Sequence, residues 1–408
     1  MSIEIRPPQT DAEWERHSFI AAYAFNGDRG EAGLARRMEY YDRDWALAAF
    51  DGGEMVAGLV VIPFEQYFAG ATVPTGGVAS VSCLPERRRG GYVGQLLRHS
   101  LESMRDAGQP LSMLWTPHAS LYRRFGWEIA CRMTSYAFPP KTVRPRRPTT
   151  GGRWTRVDAD AWPRLDALYA AHQAPRIGAF RRTERHWRRS VFQDFGVGTR
   201  DAAVWQNDAG EDRAYVVYTT HHRYTGTSPF GETTLRVIDW AALDGDAYAA
   251  VLAYVTSHDL STRIVMTASA DDALLDAIEE PAHLQEPLGS WIGPMLRVVD
   301  VERAVAARPA AAHASGAGVT IELTDDTASW NAGRWRIEAH DGLMCATPTM
   351  SPAELELDAR ALAPIYNGFV RPAEAVRVGA VRAASSAAID AATALFATPF
   401  SPFCPDDF

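Results

Sequence analysis

Short runs of alternating apolar and polar residues separate longer stretches with helical spacing in the first part of the chain. Alternation with period two is typical of strands, and recurrence at every third or fourth residue is typical of amphipathic helices. The predicted strands are residues 3–5, 45–50, 55–62, 73–84, 111–115 and a run from Trp127, and the predicted helices are residues 11–23, a segment after Gly91 and a short stretch near Tyr122. Asp51, Gly52 and Gly53 predict a hairpin between the second and third strands. We therefore expect a mixed α/β domain.

A proline-rich basic stretch ends this first pattern. Four prolines lie within residues 139–152, and proline can continue neither a helix nor a central strand. The basic residues there have no aromatic residues between them, which favours a solvated linker over a surface for single-stranded nucleic acid. The predicted domains are residues 1–138, 153–295 and 296–408, with the linker at residues 139–152.

The second and third segments repeat the mixture of helical and strand patterns. The predicted helices are residues 161–171, 247–257, 351–362 and 384–397, and the predicted strands are residues 214–220, 233–239, 262–267, 319–323 and 335–339. Residues 399–408 contain three phenylalanines and three prolines, whereas chain termini are normally polar and frayed. We therefore expect this terminal segment to pack against the rest of the protein.

Composition narrows the class of protein. A length of 408 residues, with 47% hydrophobic and 22% charged residues, predicts a soluble globular protein of two or three domains. The sequence has neither an apolar run of about eighteen residues nor the apolar core of a signal peptide, so we expect a cytoplasmic protein without membrane insertion. Four widely spaced cysteines, Cys83, Cys131, Cys345 and Cys404, predict reduced core thiols and no metal site. The net charge of −9 disfavours nucleic-acid binding and suits a cationic substrate.

The segment from Leu84 to Leu97 is the most informative one for function. A strand-like run precedes it, and apolar residues at helical spacing follow it. Between them stand three consecutive arginines and then Gly90 and Gly91. Glycines let backbone N–H groups approach an anion, and a helix N-terminus adds partial positive charge, so the segment predicts a diphosphate-binding turn. A charged helix N-terminus without a ligand is the alternative. A G-x-G-x-x-G fingerprint and a P-loop lysine are absent, which disfavours those phosphate-binding folds.

A second candidate site lies in residues 121–130. Tyr122 is followed by Phe125, Gly126 and Trp127 at a predicted corner between a short helix and a strand. A phenol held in a dry pocket can donate a proton to a departing group. The alternative is a core tyrosine whose hydroxyl bonds to the backbone.

The two motifs, in this order, resemble those of GNAT N-acetyltransferases, and the whole chain resembles the Eis (enhanced intracellular survival) family of these enzymes. Arg88 to Gly91 has the R-x-x-G spacing with which GNAT proteins hold the pyrophosphate of acetyl-CoA, and Tyr122 matches their late Y-x-x-x-G corner. The chain also ends in phenylalanine, whereas Val93 departs from the glycine or alanine of many GNAT proteins. The resemblance implies an α/β fold of two tandem GNAT domains, each a mixed, splayed sheet with flanking helices, the second without the diphosphate turn. It also implies a C-terminal domain similar to sterol carrier proteins.

The resemblance further implies an acetyl-CoA-dependent N-acetyltransferase that needs no metal. Tyr122 would be the general acid for the coenzyme A thiolate, and the terminal carboxylate of Phe408 would be the general base, held in place by the apolar tail. His118 is an alternative base. The residues implied to bind acetyl-CoA are Val81, Ser82 and Cys83 through strand backbone, Arg88, Arg89, Gly90, Gly91, Tyr92, Val93 and Gly94 at the diphosphate, and Pro117 and His118 at the thiol end, where these two residue types depart from the family.

Acceptor recognition is predicted from loop carboxylates and aromatic residues. Asp28, the pair Tyr40 and Tyr41, and Asp407, which follows Asp406, would form an acidic, aromatic pocket. Such a pocket attracts a cationic amine by charge and cation–π contact. The family implies an aminoglycoside-like polyamine or a lysine as the acceptor. It also implies a homo-oligomer, namely a hexamer.

Two other functions stay open at the level of the sequence. A pathway-specific tailoring acyltransferase of a secondary metabolite would share the cofactor site and have a narrower acceptor pocket. A non-catalytic regulator would bind a lipid or another ligand in the C-terminal domain and retain a relict GNAT site. The intact Arg88, Gly91 and Tyr122 argue against the regulator.

Overall fold

Three β-sheets with flanking helices make up the fold. The computed structural model describes residues 3–149, 151–193, 198–224, 231–281 and 289–408. Within these ranges the sheets contain eight, seven and five strands. The predicted mixed α/β class is confirmed.

The first segment follows its predicted order of elements closely. Its elements are β1 (Ile3–Arg6), α1 (Asp11–Ala24), α2 (Glu31–Tyr40), β2 (Ala46–Asp51), β3 (Glu54–Phe68), β4 (Ala71–Cys83), α3 (Tyr92–Asp106), β5 (Leu111–Leu114), α4 (Ala119–Arg123), β6 (Glu128–Ile129) and β7 (Arg132–Phe138). The hydroxyl of Thr10 caps α1 by accepting from the backbone N–H of Glu13. The sequence did not predict α2, because Leu34 is the one residue of this polar helix that is buried.

The middle segment forms eleven elements among its described residues. They are β8 (Arg153–Val157), α5 (Trp162–Gln173), β9 (Ile177–Phe180), α6 (Glu184–His186), β10 (Asp201–Gln206), β11 (Asp212–Arg223), β12 (Glu232–Ala242), α7 (Gly245–Thr256), β13 (Arg263–Ser269), β14 (Gly289–Ile292) and β15 (Met295–Val298). All five predicted elements of this segment are present.

The two larger sheets exchange strands. The first has the order β1-β2-β3-β4-β5-β15-β6, with β9 paired to β3, and the second has the order β14-β7-β13-β12-β11-β10-β8. Thus β7 leaves the first segment to join the second sheet, while β9 of the middle segment and β15, which crosses the predicted boundary at residue 295, join the first sheet. Each sheet therefore needs strands from both segments. The domain boundaries at residues 138 and 295 stay predictions about segments of the chain.

The first sheet opens at one place. Residues 75–77 of β4 pair in parallel with residues 111–113 of β5. Residues 78–83 of β4 continue past the end of that pairing, so the two strands diverge. The divergence creates a groove on the β5 side of β4, beside the N-terminus of α3.

The last segment forms the third sheet. Its elements are α8 (Val301–Ala307), β16 (Gly318–Thr324), β17 (Gly333–His340), β18 (Leu343–Pro348), β19 (Leu355–Asp358), α9 (Ala359–Tyr366), α10 (Pro372–Arg377), β20 (Val381–Ala383) and α11 (Ser386–Phe396). The predicted helix over residues 351–362 is wrong in part. Leu355 and Leu357 alternate with exposed residues, so this stretch is a strand that pairs in parallel with β16, and the helix begins only at Ala359.

A buried ion pair joins this third sheet to the first. Arg297 of β15 donates to the carboxylate of Asp325, and both side chains are almost fully buried. Arg297 also donates to the backbone carbonyl of Phe125 at 3.1 Å. The last segment therefore supports the corner that contains Tyr122.

Part of the predicted linker packs beside the second sheet. Val143 is buried, Pro145 forms a bridge with Ile278, and the backbone N–H of Arg146 donates to Ala277 at 2.8 Å. Lys141, Arg144, Arg146 and Arg147 are exposed, so the linker at residues 139–152 stays a prediction, with backbone pairing holding part of the segment.

The four cysteines are free, as predicted, but they are not all in the core. Cys131 and Cys404 are buried, whereas Cys345 is exposed. In the described ranges no helix is both long and apolar enough to cross a membrane. Among the same residues no group of three or more ligating side chains is arranged to hold a metal ion.

Candidate active site

A β-bulge shapes one wall of the groove. Gly58 pairs with Ser82 and Val60 pairs with Ala79, so Ser80 and Val81 lie outside the regular ladder between β3 and β4. Ser80 adopts a left-handed conformation with φ 55°. The bulge therefore leaves the backbone of residues 80 and 81 at the groove without strand partners in β3.

A buried histidine of α1 supports the bulge by packing against Gly58 of β3. His17 of α1 is 2% exposed, and its Nε2 lies 3.2 Å from the carbonyl oxygen of Leu59. A Cβ on Gly58 would lie 2.5 Å from the His17 ring, so a side chain has no room there. Burial lowers the pKa of His17 to about 4, and the ring is therefore neutral at pH 7.

The turn between β4 and α3 presents backbone donors. Gly91 is the N-cap of α3 with φ 84°, and a Cβ there would meet open space. No side chain caps this helix, so the first backbone N–H groups of α3 are free to bind an anion. Arg89 also has a positive φ, of 67°, which turns the chain sharply before the helix.

The three arginines of the turn have different environments. Arg87 donates to Glu54 at 2.9 Å and lies 3.5 Å from Asp51, which also accepts the Tyr92 hydroxyl at 2.7 Å. Arg87 and Tyr92 therefore brace the turn. Within the part of the chain that the structure describes, Arg88 and Arg89 form no ion pair.

The groove itself has a volume of about 1010 Å³. Its walls include every predicted cofactor residue except Gly90, namely Val81, Ser82, Cys83, Arg88, Arg89, Gly91, Tyr92, Val93, Gly94, Pro117 and His118. The sequence missed Arg98, Trp115 and Thr116, which also line the groove. Arg98 lies one turn beyond Gly94 on α3, so the helical spacing of a further arginine was the available signal.

Tyr122 lies at the end of the groove where α4 meets Trp127. Its side chain is 7% exposed, and its ring makes an edge contact with Trp127 at 6.4 Å. Burial raises the pKa of Tyr122 to about 12, although a hydrogen bond with the Thr116 side chain opposes this effect. Gly126 has φ 88°, and a Cβ there would lie 2.7 Å from Arg297 Nε. The glycine of the predicted corner is thus required by both backbone conformation and packing.

The C-terminal tail, residues 397–408, ends beside this groove. The backbone N–H of Phe403 donates to Ile177 of β9 at 2.8 Å, and the Trp115 indole donates to the carbonyl of Asp406 at 3.0 Å. The ring of Phe408 packs against Phe64, with ring centres 5.1 Å apart. The predicted packing of the terminal segment is confirmed.

Asp406 anchors the tail. It is fully buried and accepts from Arg182 Nε at 2.8 Å, from the Tyr169 hydroxyl at 2.9 Å and from the backbone N–H of Phe180 at 2.8 Å. The Arg182 guanidinium holds the pKa of Asp406 well below its usual range. His186 Nε2 lies 3.3 Å from the same carboxylate.

Two further pockets have Phe408 in their lining. The arginine pocket, of about 830 Å³, is lined by Arg36, Arg37, Glu39, Tyr40, Tyr41, Arg189, Ser190, Gln193, Asp407 and Phe408. The aromatic pocket, of about 390 Å³, is lined by Tyr40, Trp45, Ile62, Pro63, Phe64, Glu65, Arg181, Arg182, Thr183, Arg185, His186 and Phe408. Tyr40 and Phe408 belong to both pockets, so the two are neighbours.

Three domain families together match most of the chain. Residues 4–130 and residues 178–298 match acetyltransferase (GNAT) domains, and residues 301–405 match a sterol carrier protein domain. An uncharacterized N-acetyltransferase of Streptomyces griseus is 28% identical and aligns over 100% of both chains. The N-acetyltransferase Eis of Mycobacterium tuberculosis is 22% identical over 98% of both chains. The crystal structure of Eis1 from Mycobacterium abscessus is 28% identical with a TM-score of 0.85, covering 99% of this chain and 100% of that one.

The chain is an N-acetyltransferase with two GNAT domains, and over its whole length it is similar to the Eis enzymes. The tandem GNAT folds and the C-terminal domain similar to sterol carrier proteins are confirmed. In this Eis-like acetyltransferase the second GNAT domain has no arginine-glycine turn, as its sequence indicates.

The predicted acceptor residues of this Eis-like acetyltransferase do not all meet. Tyr40, Tyr41 and Asp407 line the arginine pocket together. Asp28 lies outside that lining and accepts from Arg36 at 3.1 Å. Asp406 is the buried anchor of the tail, so its carboxylate is already bound by Arg182. An acidic pocket built from these carboxylates is therefore not assembled.

Proposed function

We propose that the protein transfers the acetyl group of acetyl-CoA to an amine in a single active site where the groove meets the end of the chain. The observation that carries the proposal is that the ring of Phe408 lies against Gly77, the last residue of β4 that pairs with β5. A Cβ on Gly77 would lie 3.0 Å from Phe408 Cε2. The chain end thus reaches the point where β4 and β5 diverge.

The groove fits coenzyme A by its shape and its donors. Its volume of about 1010 Å³ is at the upper end of the range of about 300–1,000 Å³ for ligand pockets. Uncapped N–H groups of α3, together with Arg88 and Arg89, would bind the diphosphate. The strand backbone of Val81, Ser82 and Cys83 would bind the pantetheine arm, as a peptide adds to a sheet edge.

The residues of this chain would supply proton transfer and charge stabilisation. Acetyl-CoA, when bound, supplies the thioester whose acetyl group moves to the amine. The terminal carboxylate of Phe408 accepts the proton of the attacking amine, directly or through water. The backbone N–H groups near Val81, where the bulge interrupts the register with β3, would stabilise negative charge on the acetyl oxygen. Tyr122 donates its hydroxyl proton to the departing sulfur, and its raised pKa keeps that proton in place at neutral pH.

Calorimetry with acetyl-CoA and mass spectrometry of the products test this proposal together. We expect the full-length enzyme to bind acetyl-CoA and to release one coenzyme A for each acetylated amine formed from a mixed panel of amines. Binding of a lipid in the absence of any acetyl-CoA binding would contradict the proposal and favour the non-catalytic alternative.

A further inference from the structure

The charged side chains of the arginine pocket are mostly compensated. Arg36 Nη2 lies 3.1 Å from Asp28, and Arg189 lies 3.2 Å from Glu39. Each of these two arginines therefore has a carboxylate of its own. Arg37, on the same helix α2 and lining the same pocket, differs from both.

Arg37 is half-buried, and Asp407 and the chain end at Phe408 line the same pocket without forming an ion pair with it. Within the residues that the structure describes, it forms no ion pair. It donates to the hydroxyl of Ser80 at 2.5 Å and lies over the Tyr41 ring at 5.4 Å, and neither partner carries a negative charge at pH 7. Burial lowers the pKa of the Arg37 guanidinium because no carboxylate offsets its loss of hydration. A partly desolvated guanidinium with unused donors is suited to bind a carboxylate or a phosphate.

Arg37 lies between the arginine pocket and the groove. Arg37 lines the arginine pocket, whereas its hydrogen-bond partner Ser80 lies in the bulge of β4 and lines the groove. The bulge is where the proposed acetyl transfer takes place. An anion held by Arg37 would therefore lie close to the reacting amine, and the acceptor itself could carry it.

The aromatic pocket adds a second constraint on the acceptor. Trp45, Ile62 and Phe64 line it, and it shares Tyr40 and Phe408 with the arginine pocket. An acceptor that reaches both pockets would therefore combine an acidic group with an apolar or aromatic part.

We infer that the acceptor is a small amine that also carries an acidic group, which the Arg37 guanidinium binds, while an apolar part of the acceptor fills the aromatic pocket. This inference rests on the proposed function. A polyamine would instead place a further positive charge against Arg37, and that repulsion opposes the cationic acceptor expected from the sequence.

Paired acceptors with and without an acidic group test the inference. Coenzyme A release is measured with the full-length enzyme for phenylalanine against phenylalaninamide, for O-phosphoethanolamine against ethanolamine, and for spermine. Arg37→Met removes the proposed anion partner, and Arg37→Lys keeps a positive charge there. Arg43→Met is the matched control, because Arg43 pairs with Asp11 outside both pockets.

We expect kcat/KM for phenylalanine to exceed that for phenylalaninamide by about tenfold or more, and Arg37→Met to reduce this ratio roughly tenfold to a hundredfold. Arg37→Lys should retain part of the preference, and Arg43→Met should retain all of it. If Arg37→Met reduces only the preference for O-phosphoethanolamine over ethanolamine, the inference is supported, and the acidic group that Arg37 binds is a phosphate. Equal ratios in the wild type and Arg37→Met, or a preference for spermine, would overturn it. A different result would refute the proposed function itself, namely that the enzyme does not bind acetyl-CoA and that no amine leads to release of coenzyme A.

Discussion

Arg182 of the middle segment and Asp406 of the tail form a fully buried ion pair, with 2.8 Å between Nε and Oδ1. Arg182 also donates to Asp239, at 2.5 Å, so one guanidinium joins β12 to the chain end. Two residues separate this anchor from the end of the chain. The second GNAT domain thus contributes to the proposed active site by fixing the position of Phe408.

Asp406→Asn should weaken the tail anchor and reduce turnover. The substitution leaves Arg182 buried with one carboxylate in place of two, and breaking a buried pair in this way costs about 3–5 kcal/mol. Differential scanning calorimetry should show a lower Tm, and steady-state kinetics should show a lower kcat. Asp160→Asn removes a carboxylate from an exposed pair with Arg188 and should change neither. Wild-type Tm and kcat in Asp406→Asn would show that the tail is held by other contacts.

Arg88→Ala should weaken acetyl-CoA binding more than Arg87→Ala does. Arg88 faces the groove without an ion pair among the described residues, whereas Arg87 is engaged by Glu54. Loss of a charge-assisted contact to phosphate corresponds to roughly a tenfold to hundredfold rise in Kd. Calorimetry at low and high salt measures both variants, and the wild-type affinity should itself fall with added salt. An Arg88→Ala enzyme with wild-type affinity would place the diphosphate elsewhere.

Tyr122→Phe should reduce kcat while leaving the affinity for acetyl-CoA nearly unchanged. The phenyl ring keeps the packing against Trp127 but cannot protonate the leaving thiolate, and loss of a general acid typically costs about 10²–10⁴-fold in rate. Stopped-flow measurement of coenzyme A release gives the rate. Tyr136→Phe, at a buried tyrosine in the second sheet, is the control and should behave as the wild type. An undiminished kcat in Tyr122→Phe would remove Tyr122 from the mechanism.

His17 should make the fold sensitive to mild acid. Its folded-state pKa of about 4 lies below the ordinary value of 6.5, so between these values the unfolded chain binds a proton that the folded chain does not. The stability contributed by the neutral ring is therefore complete above about pH 6.5 and falls by about 2 kcal/mol between pH 7 and pH 5.

Urea unfolding of wild-type and His17→Gln proteins at pH 7 and pH 5 measures this effect. The variant should lose less stability on acidification than the wild type does. His99→Gln, at a partly exposed histidine, should lose as much as the wild type. Identical pH dependence in all three proteins would show that His17 is not the titrating group.

Local patterns predicted the parts of the site that are continuous in sequence. The arginine-glycine turn, the strand before it and the helix after it lie where their spacing placed them, because each depends on neighbouring residues. Gly126 likewise follows from a local corner, because its φ of 88° favours glycine. The fold class was predicted for the same reason.

The contacts that assemble the site join residues far apart in the chain, and no local pattern marks them. Asp406 looks like a solvated terminal carboxylate in the sequence, yet Arg182 makes it the buried anchor of the tail. Arg37 lies on a polar helix that was not predicted, and its importance depends on a hydrogen bond to Ser80 across the bulge. The negative net charge of the sequence favoured a cationic acceptor. The sequence cannot show that Arg36 and Glu39 belong to ion pairs around a common pocket.

We propose that the last residue of the chain works in the active site of the first GNAT domain. Extension of the chain beyond Phe408 by a few glycine and serine residues converts its carboxylate into an amide and thereby removes the proposed base. Coenzyme A release and acetyl-CoA affinity are measured for this protein and for one with the same extension at the N-terminus. We predict that the C-terminal extension reduces kcat by about 10²-fold or more, as expected for loss of a general base, with little change in acetyl-CoA affinity. Undiminished turnover by the C-terminally extended enzyme would show that the carboxylate of Phe408 is not the general base.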